Sequence, residues 1–126
     1  MSSKPPNWVS IGSISAAFAV ICGAFGAHAL KARASPEDLA IWETAVLYHL
    51  VHALALVGYG IFARGARTVA PGLFFASGTA LFSGSLYALV LGAPRFFGVI
   101  TPIGGVLLVV AWAWLAFDAH RAAKQP

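Results

Sequence analysis

Two histidines stand three positions apart in the apolar stretch "TAVLYHLVHALAL" (44–56). Imidazole is the commonest metal ligand in proteins and also transfers protons, so such a pair could bind a metal ion or haem, or carry protons. The spacing places His49 and His52 on one face of a helix, with Tyr48 one turn before His52. His28, near the end of the preceding apolar run, completes the candidate intramembrane polar site.

Three interpretations of these histidines are open. In the first, which we favour, both are neutral and hydrogen-bond to a neighbouring helix, for example to Ser83, Ser85 or Tyr87, because an unpaired polar group in lipid is costly. In the second, His28 and one member of the pair bind haem or a metal ion. In the third, the histidines line a path for protons or a small solute. An HxxH pair without a carboxylate or cysteine is a weak metal signal, so we predict neither a metal site nor a cofactor.

The sequence gives little support for an enzymatic function or for binding to nucleic acid. The sequence has no nucleophile-elbow or zinc-protease motif, and we therefore predict that the protein is not an enzyme. Its net charge is +4, but all eight Lys and Arg residues lie outside the apolar runs. That distribution is typical of loops that flank membrane spans and not of a basic surface for nucleic acid.

The composition is that of an integral membrane protein whose partner is the lipid bilayer. Of the 126 residues, 60% are hydrophobic and only 10% are charged, and the mean hydropathy is +0.82. A soluble domain carries about 25% charged residues. The apolar runs are also long enough for helices that cross a bilayer, which need roughly 20 residues.

The pattern predicts an all-α, four-helix bundle in one domain (1–126), with spans at about 8–30, 36–62, 71–91 and 102–120. Asn7 and Ser35 are expected to cap the first two spans, and Pro36 suits the first position of the second. Thr101 and Pro102 are expected to play the same two roles in the fourth. The first apolar run is longer than that of a signal peptide, which favours a true span.

Other segments are expected to form the ends of the spans. The first span is expected to place Trp8 among the lipid headgroups. "RGAR" (64–67) should form a turn after the second span, "GAP" (92–94) should stop the third, and "RFFG" (95–98) should form an interfacial turn.

The charges also predict an orientation. Five Lys or Arg residues fall on the side of the termini and three on the other. Because cytoplasmic loops are richer in Lys and Arg, both termini are expected in the cytoplasm.

Small residues recur at helical spacing and are expected to let the helices pack closely, since helices in lipid associate through close contact and hydrogen bonds. The predicted packing residues are Gly12, Gly23, Gly26, Ser83, Gly84, Ser85, Gly104 and Gly105. With so small a chain, these stripes favour a structural or accessory membrane component that forms a homo-oligomer or joins a larger membrane complex.

Four ordered motifs resemble those of the membrane family called domain of unknown function 423, which includes transmembrane protein 256. They are "GAFGAHALK" (23–31), "TAVLYHLVHALAL" (44–56), "LFSGSLY" (81–87) and "ITPIGG" (100–105), followed by Trp112. The resemblance implies a small four-span protein of the bacterial inner membrane, with no established activity, substrate or cofactor. It also implies that His28 and His52 match family histidines, whereas His49 stands where many bacterial members have glutamine.

Overall fold

The protein is an all-α, four-helix membrane bundle, as predicted. The computed structural model describes residues 4–63 and 69–126, and no strand occurs in these two ranges. The helices are α1 (Trp8–Phe25), which continues as a π-helix (Gly26–Leu30), α2 (Pro36–Phe62), α3 (Ala70–Val90) and α4 (Phe97–Ala123). All four are long and apolar enough to cross a membrane. The "RGAR" turn predicted at 64–67 lies outside the described residues.

Two helix starts follow directly from their capping residues. The Asn7 side chain accepts a hydrogen bond from the Ser10 N–H at 3.1 Å and caps α1. The Ser35 hydroxyl accepts one from the Asp38 N–H at the same distance and caps α2. Each cap satisfies an amide that has no partner inside its helix. Both predictions are confirmed.

The predicted start of the fourth span is wrong. The helix begins at Phe97, so Pro102 lies inside it and "RFFG" supplies its first two residues. Pro102 is the sixth residue of α4, and because it has no N–H the Gly98 carbonyl lacks the bond that a regular helix would give it. Thr101 is therefore not a capping residue, and its hydroxyl lies 2.6 Å from that of Ser85 on α3.

Trp8 occupies a different place from the one expected. Its ring is buried inside the bundle instead of facing lipid headgroups. It packs 6.3 Å from the ring of Tyr59 and over Gly72, where an added Cβ would collide with the indole. Trp8 therefore joins α1 to both α2 and α3.

The helices pack in chain order: α1 along α2, α2 along α3, and α3 along α4. The central pair α2 and α3 supplies most of the core, which is built around Leu56, Tyr59 and Phe75 and closed by Leu108 of α4. Large apolar side chains cover the outside, as bilayer contact requires; Ile14 is 72% exposed and Val109 is 69% exposed.

Close approach of the backbones depends on two groups of glycines. A Cβ on Gly12 would lie 2.8 Å from the carbonyl oxygen of Ala53, so α1 and α2 touch backbone to backbone there. Gly78 and Gly104 do the same between α3 and α4, since a Cβ on Gly104 would lie 2.9 Å from the Gly78 carbonyl oxygen. At both contacts a small residue allows the helices to approach closely, as is typical of helices in membranes.

The other predicted packing residues differ in how closely neighbouring atoms approach them. A Cβ on Gly26 would lie 2.5 Å from the Trp42 ring, whereas one on Gly23 or Gly105 would make only ordinary contacts. Gly84 is exposed, and nothing lies within 4 Å of a Cβ built there, so within the described residues it packs against no other helix of this bundle. The sequence stripe could not show that this side of α3 borders a gap.

The predicted serines link helices through hydrogen bonds. The Ser83 hydroxyl donates to the Ala45 carbonyl at 2.8 Å and ties α3 to α2. Ser85, with Thr101, ties α3 to α4.

Candidate functional site

His49 lies where α1, α2 and α3 meet, and it is only 7% exposed. Its Nδ1 is 3.0 Å from the Tyr87 hydroxyl of α3, and its Nε2 is 3.0 Å from the Ser15 hydroxyl of α1. One imidazole thereby joins three helices. We call these three side chains the Ser15–His49–Tyr87 array.

The array can hold its proton in two ways. A neutral imidazole has one N–H donor and one acceptor nitrogen, and a hydroxyl can play either part. One hydroxyl therefore accepts from the ring while the other donates to it, and exchanging the tautomer exchanges these roles.

His52 has partners that leave it no such choice. Its Nδ1 lies 2.7 Å from the carbonyl oxygen of Tyr48, and its Nε2 lies 3.1 Å from the indole nitrogen of Trp112 on α4. A carbonyl only accepts and an indole N–H only donates. His52 is therefore neutral, with its proton on Nδ1, and both of its nitrogens are occupied.

The two histidines serve different interfaces although both are buried. Helical spacing predicts that they share one inward face. Residues three positions apart are separated by 300° around a helix, so the two side chains point in directions about 60° apart. His49 is directed to α1 and α3, while His52 is directed to α4 and packs against Phe75, with ring centroids 6.2 Å apart. Their bonding partners are separate, and the HxxH spacing does not bring the two rings onto one ligand.

His28 and Tyr48 are placed differently again. His28 lies in the π-helix at the end of the first span and its side chain is exposed, away from the buried pair. Tyr48 stacks on the His52 ring at 5.9 Å and packs on Phe82 at 4.4 Å, so it shields His52 from lipid. Within residues 4–63 and 69–126, no three His, Cys, Asp or Glu side chains are grouped as a metal site requires.

The π-helix begins beside a contact with α2. The Trp42 ring packs against Gly26, and its indole N–H donates at 2.8 Å to the Cys22 carbonyl, which also accepts from the Gly26 N–H. In the next turn the Lys31 N–H bonds the Gly26 carbonyl, five residues back, as a π-helix requires.

A cleft of about 400 Å³ opens beside the array, between α1 and α3, with α2 as its floor. Its lining includes Ser15, Phe18, His49, Ala80, Gly84 and Tyr87. Ser15 was not among the partners predicted for His49. Ser15 nevertheless fits the three-and-four spacing of the buried residues Gly12 and Ala19, and this was the available signal.

Trp112 was likewise not identified as the partner of His52. It follows Ala111, the last buried position of α4, and no local pattern predicts that its indole nitrogen reaches α2. That contact depends on how α3 sets α4 beside α2.

The comparisons with known proteins agree with the predicted resemblance. The family model described as Protein of unknown function (DUF423) matches residues 22–105. A UPF0382 membrane protein of Staphylococcus saprophyticus is 42% identical over an alignment of 118 residues that covers 90% of this chain and 97% of the relative. The UPF0382 membrane protein YwdK of Bacillus subtilis is 40% identical over an alignment of 119 residues that covers 90% of this chain and 96% of the relative.

No solved structure matches the chain significantly. The family match covers most of the chain, and the relatives align along nearly their whole length. The chain therefore belongs to the DUF423 family of proteins of unknown function and, like these relatives, is a membrane protein, here with four helices that can span the bilayer.

Proposed function

We propose that this protein is a structural or accessory component of the bacterial inner membrane, which acts by assembling with a second copy or with a larger membrane complex and not by catalysis. One observation carries this proposal. Every buried side-chain nitrogen and oxygen in the described residues has a hydrogen-bond partner within the protein. The polar groups buried in the bundle are thus occupied by bonds within the protein, several of which join one helix to another.

The individual bonds support that role. The array ties α1, α2 and α3 together, and His52 with Trp112 ties α2 to α4. An interhelical hydrogen bond in a membrane contributes about 0.6 kcal/mol on average, but an unpaired polar group in hydrocarbon costs several times more. Paired polar residues of this kind therefore stabilise the bundle without any ligand.

The short connections and the exposed helix surfaces support the proposal that the protein assembles with a partner. Outside the helices, the described residues form only short connections and termini, with no domain that could act in water. The lipid-facing surfaces of all four helices are available to other spanning helices. The proposed orientation places both termini in the cytoplasm, as the distribution of Lys and Arg favours.

Energy transfer in liposomes tests the assembly. Gln125→Cys in a Cys22→Ala background gives one exposed labelling site at the C-terminus, away from the helices' lipid-facing surfaces. Donor- and acceptor-labelled protein should show energy transfer that persists when the lipid-to-protein ratio is raised tenfold, and an excess of unlabelled protein should abolish it. Transfer that falls to the level expected of random proximity on dilution, together with a strictly monomeric band in blue-native gels of gently solubilised membranes, would contradict the proposal.

A further inference from the structure

The cleft between α1 and α3 has the size and position of a ligand site that opens to lipid. Its volume of about 400 Å³ lies within the range of small-molecule sites, about 300–1,000 Å³. Phe18 and Gly84, on its two sides, are both exposed on the lipid-facing surface. A molecule dissolved in the bilayer can therefore enter without crossing water.

The lining excludes a charged occupant. Among the residues that the structure describes, no Lys, Arg, Asp or Glu lines the cleft, and an ion or a charged headgroup would be unpaired there at high cost. Two of its hydroxyl groups already donate to the backbone: Thr79 to the Phe75 carbonyl at 2.7 Å, and Ser83 to the Ala45 carbonyl at 2.8 Å. The polar feature left to bind a ligand is the Ser15–His49–Tyr87 array.

The array keeps bonding capacity whichever tautomer His49 adopts. If Ser15 donates to Nε2, the serine oxygen still has free lone pairs; if it accepts from Nε2–H, its own O–H is free to donate. Ser15 can thus meet either a hydroxyl or a carbonyl at the cleft. Small residues on α3, Ala80 and Gly84, leave room for an apolar body beside Phe18.

A spanning helix does not fit this volume. A helix with its side chains is about 10 Å wide, so a single turn already fills roughly 400 Å³, and a span has five or six turns. The cleft is therefore matched to a small molecule.

We propose that this cleft binds an uncharged, lipid-soluble molecule that carries a hydroxyl or carbonyl group. The oxygen-bearing group bonds to Ser15 within the array, and the apolar body lies between Phe18 and the small residues of α3. This inference does not depend on the proposed assembly, because a monomer contains the whole cleft.

Photolabelling in lipid nanodiscs tests the proposal. The probes are hexadecan-1-ol and hexadecane that carry a diazirine at the same carbon, and the labelled residues are mapped by mass spectrometry. The alcohol should label the cleft on α1 and α3 about tenfold more than the alkane does, which is the effect of one well-made hydrogen bond. Equal labelling of the cleft by both probes would overturn the assignment, as would labelling of the outer face of α4 to the same extent.

Two variants test separately the hydroxyl group of Ser15 and the open volume of the cleft. Ser15→Ala should remove the preference for the alcohol while it keeps the cleft. Gly84→Leu should fill the cleft and remove labelling, whereas Gly58→Leu should not, because Gly58 is also exposed with nothing within 4 Å but lies on α2 outside the cleft. Equal labelling of wild type and Gly84→Leu, or an alcohol preference that survives in Ser15→Ala, would contradict the proposal.

Competition identifies the source of the oxygen group. Unlabelled dioleoylglycerol represents a lipid hydroxyl, and 2-methyl-1,4-naphthoquinone represents a quinone carbonyl. The stronger competitor against the alcohol probe indicates the natural class, and failure of both would overturn the proposed ligand chemistry.

Discussion

The two buried histidines differ in how far their partners determine their state. His52 lies between a carbonyl, which can only accept, and an indole N–H, which can only donate. His49 lies between two hydroxyls, which can do either. A ring of the first kind is a fixed structural link, because a metal or a second proton would have to break an existing bond. A ring of the second kind can exchange its proton position without losing a bond, and it is the one that borders the cleft.

This difference predicts distinct nitrogen spectra. In ¹⁵N solid-state NMR of the protein in lipid at neutral pH, His52 should show a single neutral form protonated on Nδ1. His49 should show both tautomers or an average of them, since its two hydroxyl partners accept either. Assignment uses His49→Gln and His52→Gln, each of which removes one set of signals. A His52 ring protonated on Nε2 would contradict its bonds to the Tyr48 carbonyl and the Trp112 indole.

At the scale of helices, glycines matter only where a neighbouring backbone or ring is close. Gly12 meets Ala53 and Val57 of α2 within 2.8 Å of an added Cβ, while Gly84 meets nothing within 4 Å. The residue type and helical spacing are the same at both positions. Their roles differ because one faces a helix and the other faces the cleft.

Substitution of these two glycines by alanine should therefore affect the free energy of unfolding differently. Gly12→Ala forces a methyl group into backbone and should lower the free energy of unfolding by about 1–3 kcal/mol. Gly84→Ala adds a methyl group into open space and should leave stability unchanged or raise it by up to about 1 kcal/mol, through better helix propensity. Unfolding by SDS in mixed micelles, followed by circular dichroism, measures both variants. A similar loss for the two would show that the cleft is closed in the membrane.

The sequence predicts these helices well where the signal is local. The caps at Asn7 and Ser35 have local partners three residues on, so the starts of α1 and α2 could be predicted. The start of α4 could not, because Thr101 and Pro102 carry the same signature, yet the Thr101 hydroxyl bonds Ser85 of another helix. The same Thr-Pro pair can cap a helix or lie inside one, and the tertiary contact with Ser85 determines which of the two occurs.

The candidate site divides in the same way. Helical spacing was sufficient to predict that His49 and His52 are buried, and Tyr87 was among the partners expected. Their assignment to separate interfaces, and the contacts with Ser15 and Trp112, depend on the order in which the helices pack. The order in which the helices pack cannot be predicted from the periodicity of residues within one helix.

At the scale of the whole molecule, the packing order explains why a cleft exists. Contacts follow the chain, and α1 and α3 lie on either side of α2 and meet mainly through large side chains such as Trp8. Trp8 fills the space between them at one end, over Gly72. Farther along, at Ala80 and Gly84, α3 offers only small residues to α1, and the space remains open. A polar array that bridges α1 and α3 through His49 keeps the helices together across this gap.

The orientation of this bundle in the membrane sets which loops face the cytoplasm. Four spans place both termini on one side, and the greater number of Lys and Arg residues there predicts the cytoplasmic side. In a Cys22→Ala background, Ala32→Cys puts a thiol in the exposed connection between α1 and α2, and Gln125→Cys puts one at the exposed C-terminus. A membrane-impermeant maleimide on intact spheroplasts should label Ala32→Cys and not Gln125→Cys, and permeabilised cells should label both. Labelling of Gln125→Cys alone in intact spheroplasts would reverse the orientation, and the charge difference of five against three would then be too small to decide it.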